Sequence, residues 1–207
     1  MNLLKKIFGF QKNLTNFSFL DKKEKIQQDK NPFIPEPNIP LNEQFTSEFI
    51  NNGGKFSYCV DMSEVRSEFE NILKENDWYE KEVFCLEQKL YSLLDENNLR
   101  YKNISSPEFL FVGCESLIAE EGSVMFSSKQ IGQKKTHQLP QNIIVFATIN
   151  QIVRGKSDGL RVIRSRYLTK FPTNITTLKY FKPIKSENFL HYGSVPKNMY
   201  LILLENV

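Results

Sequence analysis

Residues 111–128 read FVGCESLIAEEGSVMFSS, and the rest of the chain is organised around this stretch. An apolar run, Phe109 to Val112, breaks at Gly113, and a second, Val124 to Phe126, starts directly after Gly122-Ser123. Short apolar runs bounded by glycine predict buried strands. The segment between them carries Glu115, Glu120 and Glu121. Its glycines adopt backbone angles that other residues resist, so the segment is expected to form a compact acidic turn with exposed main-chain N–H groups.

Upstream, Leu41, Phe45 and Phe49 recur at helical spacing until Asn52-Gly53-Gly54 supplies a stop. Lys55 to Val60 reads as a strand. Asp61 is the expected N-cap of the next helix, with Glu64 at the capping-box position and Val65, Phe69, Ile72 and Leu73 on its buried face. A strand over Val83 to Leu86 and a helix bearing Leu90, Leu93 and Leu94, closed by Asn97-Asn98, lead back to the central stretch.

Downstream, Lys129 to Gln141 lacks periodicity and is expected to be an exposed loop, of a length uncommon without a function. Asn142 to Ala147, NIIVFA, is a continuous apolar run suited to a parallel sheet covered on both faces. Ser157 is the expected cap of a helix whose Leu160, Ile163 and Tyr167 face inward and whose Arg161, Arg164 and Arg166 face out or sideways. Strands over Ile175 to Phe181 and Met199 to Leu204 complete an alternation that predicts an α/β fold, a mostly parallel sheet flanked by helices.

The length of 207 residues buries roughly 70% of the unfolded surface, enough for one core with an appended arm. Residues 1–40 are expected to be that arm, with Leu3, Leu4, Ile7 and Phe8 on a short helix and four prolines in 31–40 making an extended linker. The domain proper is expected over 41–207. No stretch reaches the ~18 apolar residues of a membrane span. Lysines interrupt the N-terminal apolar residues where a secretory signal needs a continuous core, so a cytoplasmic location is expected.

Charge is segregated. Residues 61–100 hold eleven Asp and Glu against five Lys and Arg, a net of −6, while 129–170 hold nine Lys and Arg against Asp158, a net of +8. The basic segment suits a phosphate-bearing ligand, nucleic acid or an acidic protein surface, or is simply a solvated face. Interleaved aromatic platforms are missing from it, which ranks nucleic acid last.

Among candidate residues Glu120 leads, as a carboxylate poised between a buried segment and Gly122 at a strand end, where α/β sheets place ligands. Nucleophile or base is one role. Pairing with a loop lysine or capping a helix N-terminus is the structural alternative. Gly113, Glu115, Gly122, Ser123, Ser127 and Ser128 are the other candidate ligand-binding positions of the stretch, and Lys134, Lys135 and His137 those of the basic loop. His191 lacks such company. Cys59, Cys85 and Cys114 are widely spaced and read as buried thiols, and no metal site is expected.

The runs GCESLIAEEGSVMFSS and HQLPQNIIVFATINQIV resemble the lactate-utilisation (LUD) domain family, whose pattern is approximately aDaaIAeTGs followed by an apolar strand, sxLPxxhivv and a closing qIV. Ile118-Ala119-Glu120, Gly122-Ser123, Ser127-Ser128, Leu139-Pro140 and Ile152-Val153 carry the likeness. Glu115 stands where the family has Asp, Glu121 where it has Thr, and LKYFKPIKSEN where a GPSxTxDI segment is expected.

The resemblance implies a fold similar to that of CoA transferases and sugar-phosphate isomerases. It places Glu120 in a turn comparable to the one that holds the nucleophilic glutamate of CoA transferases. It further implies an accessory role beside iron-sulfur partners in oxidising L-lactate to pyruvate. No cofactor is expected in this chain itself, and iron-sulfur clusters are expected only in the partners. The other reading is a small-molecule enzyme or sensor binding a phosphorylated or CoA-like anion over the Glu120 turn and the 129–141 loop.

Overall fold

The computed structural model describes residues 39–181 and 196–205. The chain divides into two units, Met1–Ile39 and Pro40–Val207, and every helix and strand among the described residues belongs to the second. The expected helix of Leu3, Leu4, Ile7 and Phe8, and His191, lie outside the described residues.

The second unit opens with α1 (Leu41–Asn51), β1 (Lys55–Cys59) and α2 (Met62–Asn76). Asp61 caps α2 by accepting from the N–H groups of Ser63 and Glu64 at 2.8 and 3.0 Å, and Glu64 reaches back to the Val60 N–H at 2.8 Å. This satisfies N-terminal donors that would otherwise lack partners. Next come β2 (Val83–Phe84) and a 3-10 turn over Gln88–Leu90 that runs into α3 (Tyr91–Glu96). β3 (Phe109–Val112), β4 (Ser116–Ile118), β5 (Ser123–Ser127) and α4 (Ser128–Ile131) follow. The chain ends with β6 (Asn142–Thr148), β7 (Ile152–Val153), α5 (Lys156–Arg166), β8 (Ile175–Leu178) and β9 (Asn198–Leu204).

Five strands form an all-parallel sheet in the order β1-β9-β6-β3-β2, so the fold is α/β as expected. β6 runs through its centre. Ile143, Val145 and Ala147 of β6 enter the apolar cluster on one face, and Ile144 enters the cluster on the other. Burial on both faces is why NIIVFA lacks alternation. The second of these faces is covered by α2, through Val65, Phe69, Ile72 and Leu73, and by Leu93 and Leu94 of α3.

The other face is covered by a second sheet, β7-β4-β5-β8, with α1 contributing Phe45 and Phe49. Here β5 pairs antiparallel with β4 and β8, while β4 and β7 are parallel. Leu117, Val124 and Phe126 point into the shared core, and Ile118 and Met125 on the outer face meet Ile163 of α5. The layers therefore run from α2 and α3 through the parallel sheet and the second sheet to α5.

Several local expectations are corrected. The acidic segment is not a simple turn between two strands: β4 lies within it, and β3 and β5 belong to different sheets. A three-residue strand is too short to declare a period, so the sequence does not reveal it. The 129–141 segment is not wholly loop, since it includes most of α4 and a 3-10 turn over Thr136–Gln138. Gly155, not Ser157, is the N-cap of α5, and Asp158 accepts from the Gly155 N–H at 3.4 Å. Leu160 of α5 is exposed rather than inward.

All three cysteines are buried and free. Burial pushes the Cys85 thiol up to about 11 and that of Cys59 up to about 12. Cys114 is raised as well, by burial first and then by Glu87 and Glu115. Because the thiolate is the reactive form, a thiol reagent near pH 8 is expected to modify less than about one cysteine per native chain and all three after denaturation. Counting labelled thiols by mass spectrometry checks this.

Candidate functional site

The chain leaves the parallel sheet twice at the carboxyl ends of neighbouring strands, after Val112 of β3 and after Thr148 of β6, and both exits lead into the second sheet. The two crossovers are stitched together. Gln151 donates to the Cys114 carbonyl at 2.6 Å, and β4 pairs with β7 just beyond. Gly113, at the first exit, donates its N–H to Glu87 Oε1 at 2.5 Å, and Lys89 pairs with the other oxygen at 3.0 Å. A Cβ on Gly113 would stand 2.9 Å from Glu87 Oε1, so a side chain there would push the carboxylate aside.

Glu115 is fully buried, and it is the best-bonded side chain of the region. Its Oε1 accepts from Ser127 Oγ at 2.6 Å, Gln130 Nε2 at 2.9 Å and Tyr167 OH at 3.0 Å. Its Oε2 accepts from Arg166 at 2.5 Å, and the Glu115 side chain is 0% exposed against 42% for Arg166. Three donors on Oε1 and one on Oε2 engage both oxygens of the carboxylate. Ser127 also caps α4, whose Gln130 closes a capping box. Burial and the bond to Glu115 together raise the Tyr167 phenol. A carboxylate so occupied is an anchor between the crossover, α4 and α5.

The Glu120 turn lies at the far end of β5. Gly122 has φ +57°, and Asn52 at the end of α1 donates to the carbonyls of Glu121 and Gly122 at 2.6 and 3.3 Å. Glu121 pairs with Lys156 at 3.0 Å and receives a 3.5 Å contact from the buried Ser123. Glu120 is exposed, and its side chain has no hydrogen bond or ion pair among the described residues. Its Oε2 stands 2.9 Å from the Cβ position of Gly155, beside the N-terminus of α5. It is thus the free carboxylate of the stretch, next to a helix end that favours negative charge.

The basic loop occupies a third place. Lys134, Lys135 and His137 are exposed. Lys134 sits over the Phe84 ring at 5.1 Å and, with Ser105, Pro107, Leu139 and Pro140, lines an open cleft of about 530 Å³. Ser128 is drawn instead to the Thr173 N–H, at 3.1 Å. Eight of the ten predicted residues fall into three groups, while Gly113 bonds Glu87 and Ser128 bonds Thr173. Glu115 and Ser127 meet. Gly122, Ser123 and Glu120 share the turn at the other end of β5, and Lys134, Lys135 and His137 lie on the loop beyond α4.

The sequence profile of the LUD domain matches residues 77–204. The chain belongs to the LUD-domain family. The matched span begins after α2 and takes in both crossovers, the Glu115 cluster, the Glu120 turn and β9. The LUD fold is also seen in the likeness to a crystal structure of a DUF162-family protein from Deinococcus radiodurans. That likeness has a TM-score of 0.56 at 14% identity and covers 80% of this chain and 96% of that one. No curated protein matches this LUD-domain chain.

Sequence reasoning missed Glu87, Gln130, Gln151, Arg166 and Tyr167 as partners of this region. Gln130 was open to recognition, since Ser127-x-x-Gln130 is a capping-box spacing. The others reach the LUD-domain crossover from distant segments, and no local pattern marks them.

Proposed function

We propose that this chain is an accessory component of an L-lactate utilisation system, acting with iron-sulfur partner proteins that take up the two electrons released when lactate is oxidised to pyruvate. The observation that carries the reading is membership of the LUD-domain family. The geometry supports the accessory part. An all-cysteine cluster takes four thiolates, and this chain has three cysteines, each buried with its thiol raised.

The test is anaerobic purification of a tagged chain from its native cells grown on L-lactate, with iron and acid-labile sulfide measured per chain. The expected result is iron and sulfide in the native preparation, lost on stringent washing, and neither in the chain produced alone. Native material without iron or sulfide would overturn the proposal, as would a chain produced alone that retains both.

A further inference from the structure

We infer that the outward face of α5 is a self-association surface, and that its occupant is the acidic helix α2 of a second copy of this chain. This goes beyond the proposed function and does not depend on it. Leu160, Arg161 and Arg164 lie on the solvent side of α5, opposite the buried Gly159 and Ile163. Residues 154–170 carry six Lys and Arg against Asp158 alone, a net of +5. Arg166 is held by Glu115, Lys156 pairs with Glu121 and Asp158 pairs with Arg161, each of the last two at 3.0 Å, which leaves Arg154, Arg164 and Lys170 with no ion pair among the described residues.

The complementary surface lies on the opposite outer layer. Residues 61–80 carry seven Asp and Glu against Arg66 and Lys74, a net of −5. The two sheets separate α2 from α5, so the faces cannot neutralise each other within one chain. α2 has 15 residues and α5 has 11, lengths of about 22 and 16 Å that let one lie along the other. The contact joins two different surfaces, so it is head-to-tail, building rings or open chains rather than a two-fold dimer. Its apolar share is small, with Leu160 45% exposed, so the association is expected to be salt-sensitive.

Sedimentation of the full chain in ~10 mM and ~1 M NaCl, where the screening length falls from about 30 Å to about 3 Å, tests this. At low salt the average mass is expected to rise with concentration above the single-chain 24.2 kDa, and at high salt to return to it. Arg161→Glu with Arg164→Glu removes the larger species, and so does Ser67→Lys with Glu70→Lys on the exposed side of α2. Mixing the two double variants restores association, because each then presents the partner that the other has lost, a result that misfolding could not give. A single-chain mass at every concentration in low salt overturns the inference, as does association that survives both reversals. A wild-type chain that stays single yet binds a short DNA duplex through Arg161 and Arg164 overturns it too, in favour of nucleic acid.

Discussion

Replacing Arg166 with alanine is expected to lower unfolding free energy by about 2–4 kcal/mol near pH 7, equivalent to about 5–15 °C in melting temperature. Removing one member of a buried ion pair strands the other, and Glu115 is fully buried. The figure sits below the top of the usual range because the Arg166 side chain is 42% exposed, so water already shares its charge. Ser127, Gln130 and Tyr167 remain as donors, and they satisfy the lone pairs without neutralising the charge. One further result separates this cause from a general loss of packing. Adding Glu115→Gln to Arg166→Ala recovers part of the lost stability, since the stranded charge is gone. Urea titrations of the two variants measure this.

Gly122→Ala carries a comparable cost from a different source. Its φ of +57° lies in the left-handed region, which costs a residue with a Cβ roughly 1–2 kcal/mol. The new Cβ would also stand 2.2 Å from the Glu48 carbonyl carbon and 2.3 Å from the Phe49 nitrogen. Those are main-chain atoms of α1, which cannot rotate away, so overpacking adds about 1–3 kcal/mol. The expected total is about 3 kcal/mol or more. Shifting the turn to relieve the clash would break the bonds from Asn52 to the Glu121 and Gly122 carbonyls. Thermal unfolding of Gly122→Ala beside the native chain checks this, and an unchanged midpoint would show that the turn does not press on α1.

Much of the architecture was legible because it rests on local chemistry. The cap at Asp61, the stripe of α2 and the apolar run of β6 are each written in neighbouring residues, and each is found where expected. The second sheet was not legible. β4 pairs with β5 nearby but also with β7, which follows more than thirty residues later, and only tertiary packing decides that pairing. The same limit governs the site. Glu115 and Ser127 stand out in the sequence, yet Arg166 reaches Glu115 from 51 positions away, and no local pattern singles it out from Arg161 and Arg164. Glu120 was singled out for its place beside Gly122. The structure leaves it exposed beside the start of α5, with a carboxylate that no described neighbour engages.

Deletion of the gene in its native cells, followed by growth on L-lactate and on glucose as sole carbon sources, tests the proposed role most directly. Growth is expected to be lost on L-lactate alone, and to be restored by the native chain and by a variant in which Cys59, Cys85 and Cys114 are all alanine if that variant folds. Undiminished growth of the deletion strain on L-lactate would contradict the proposed role.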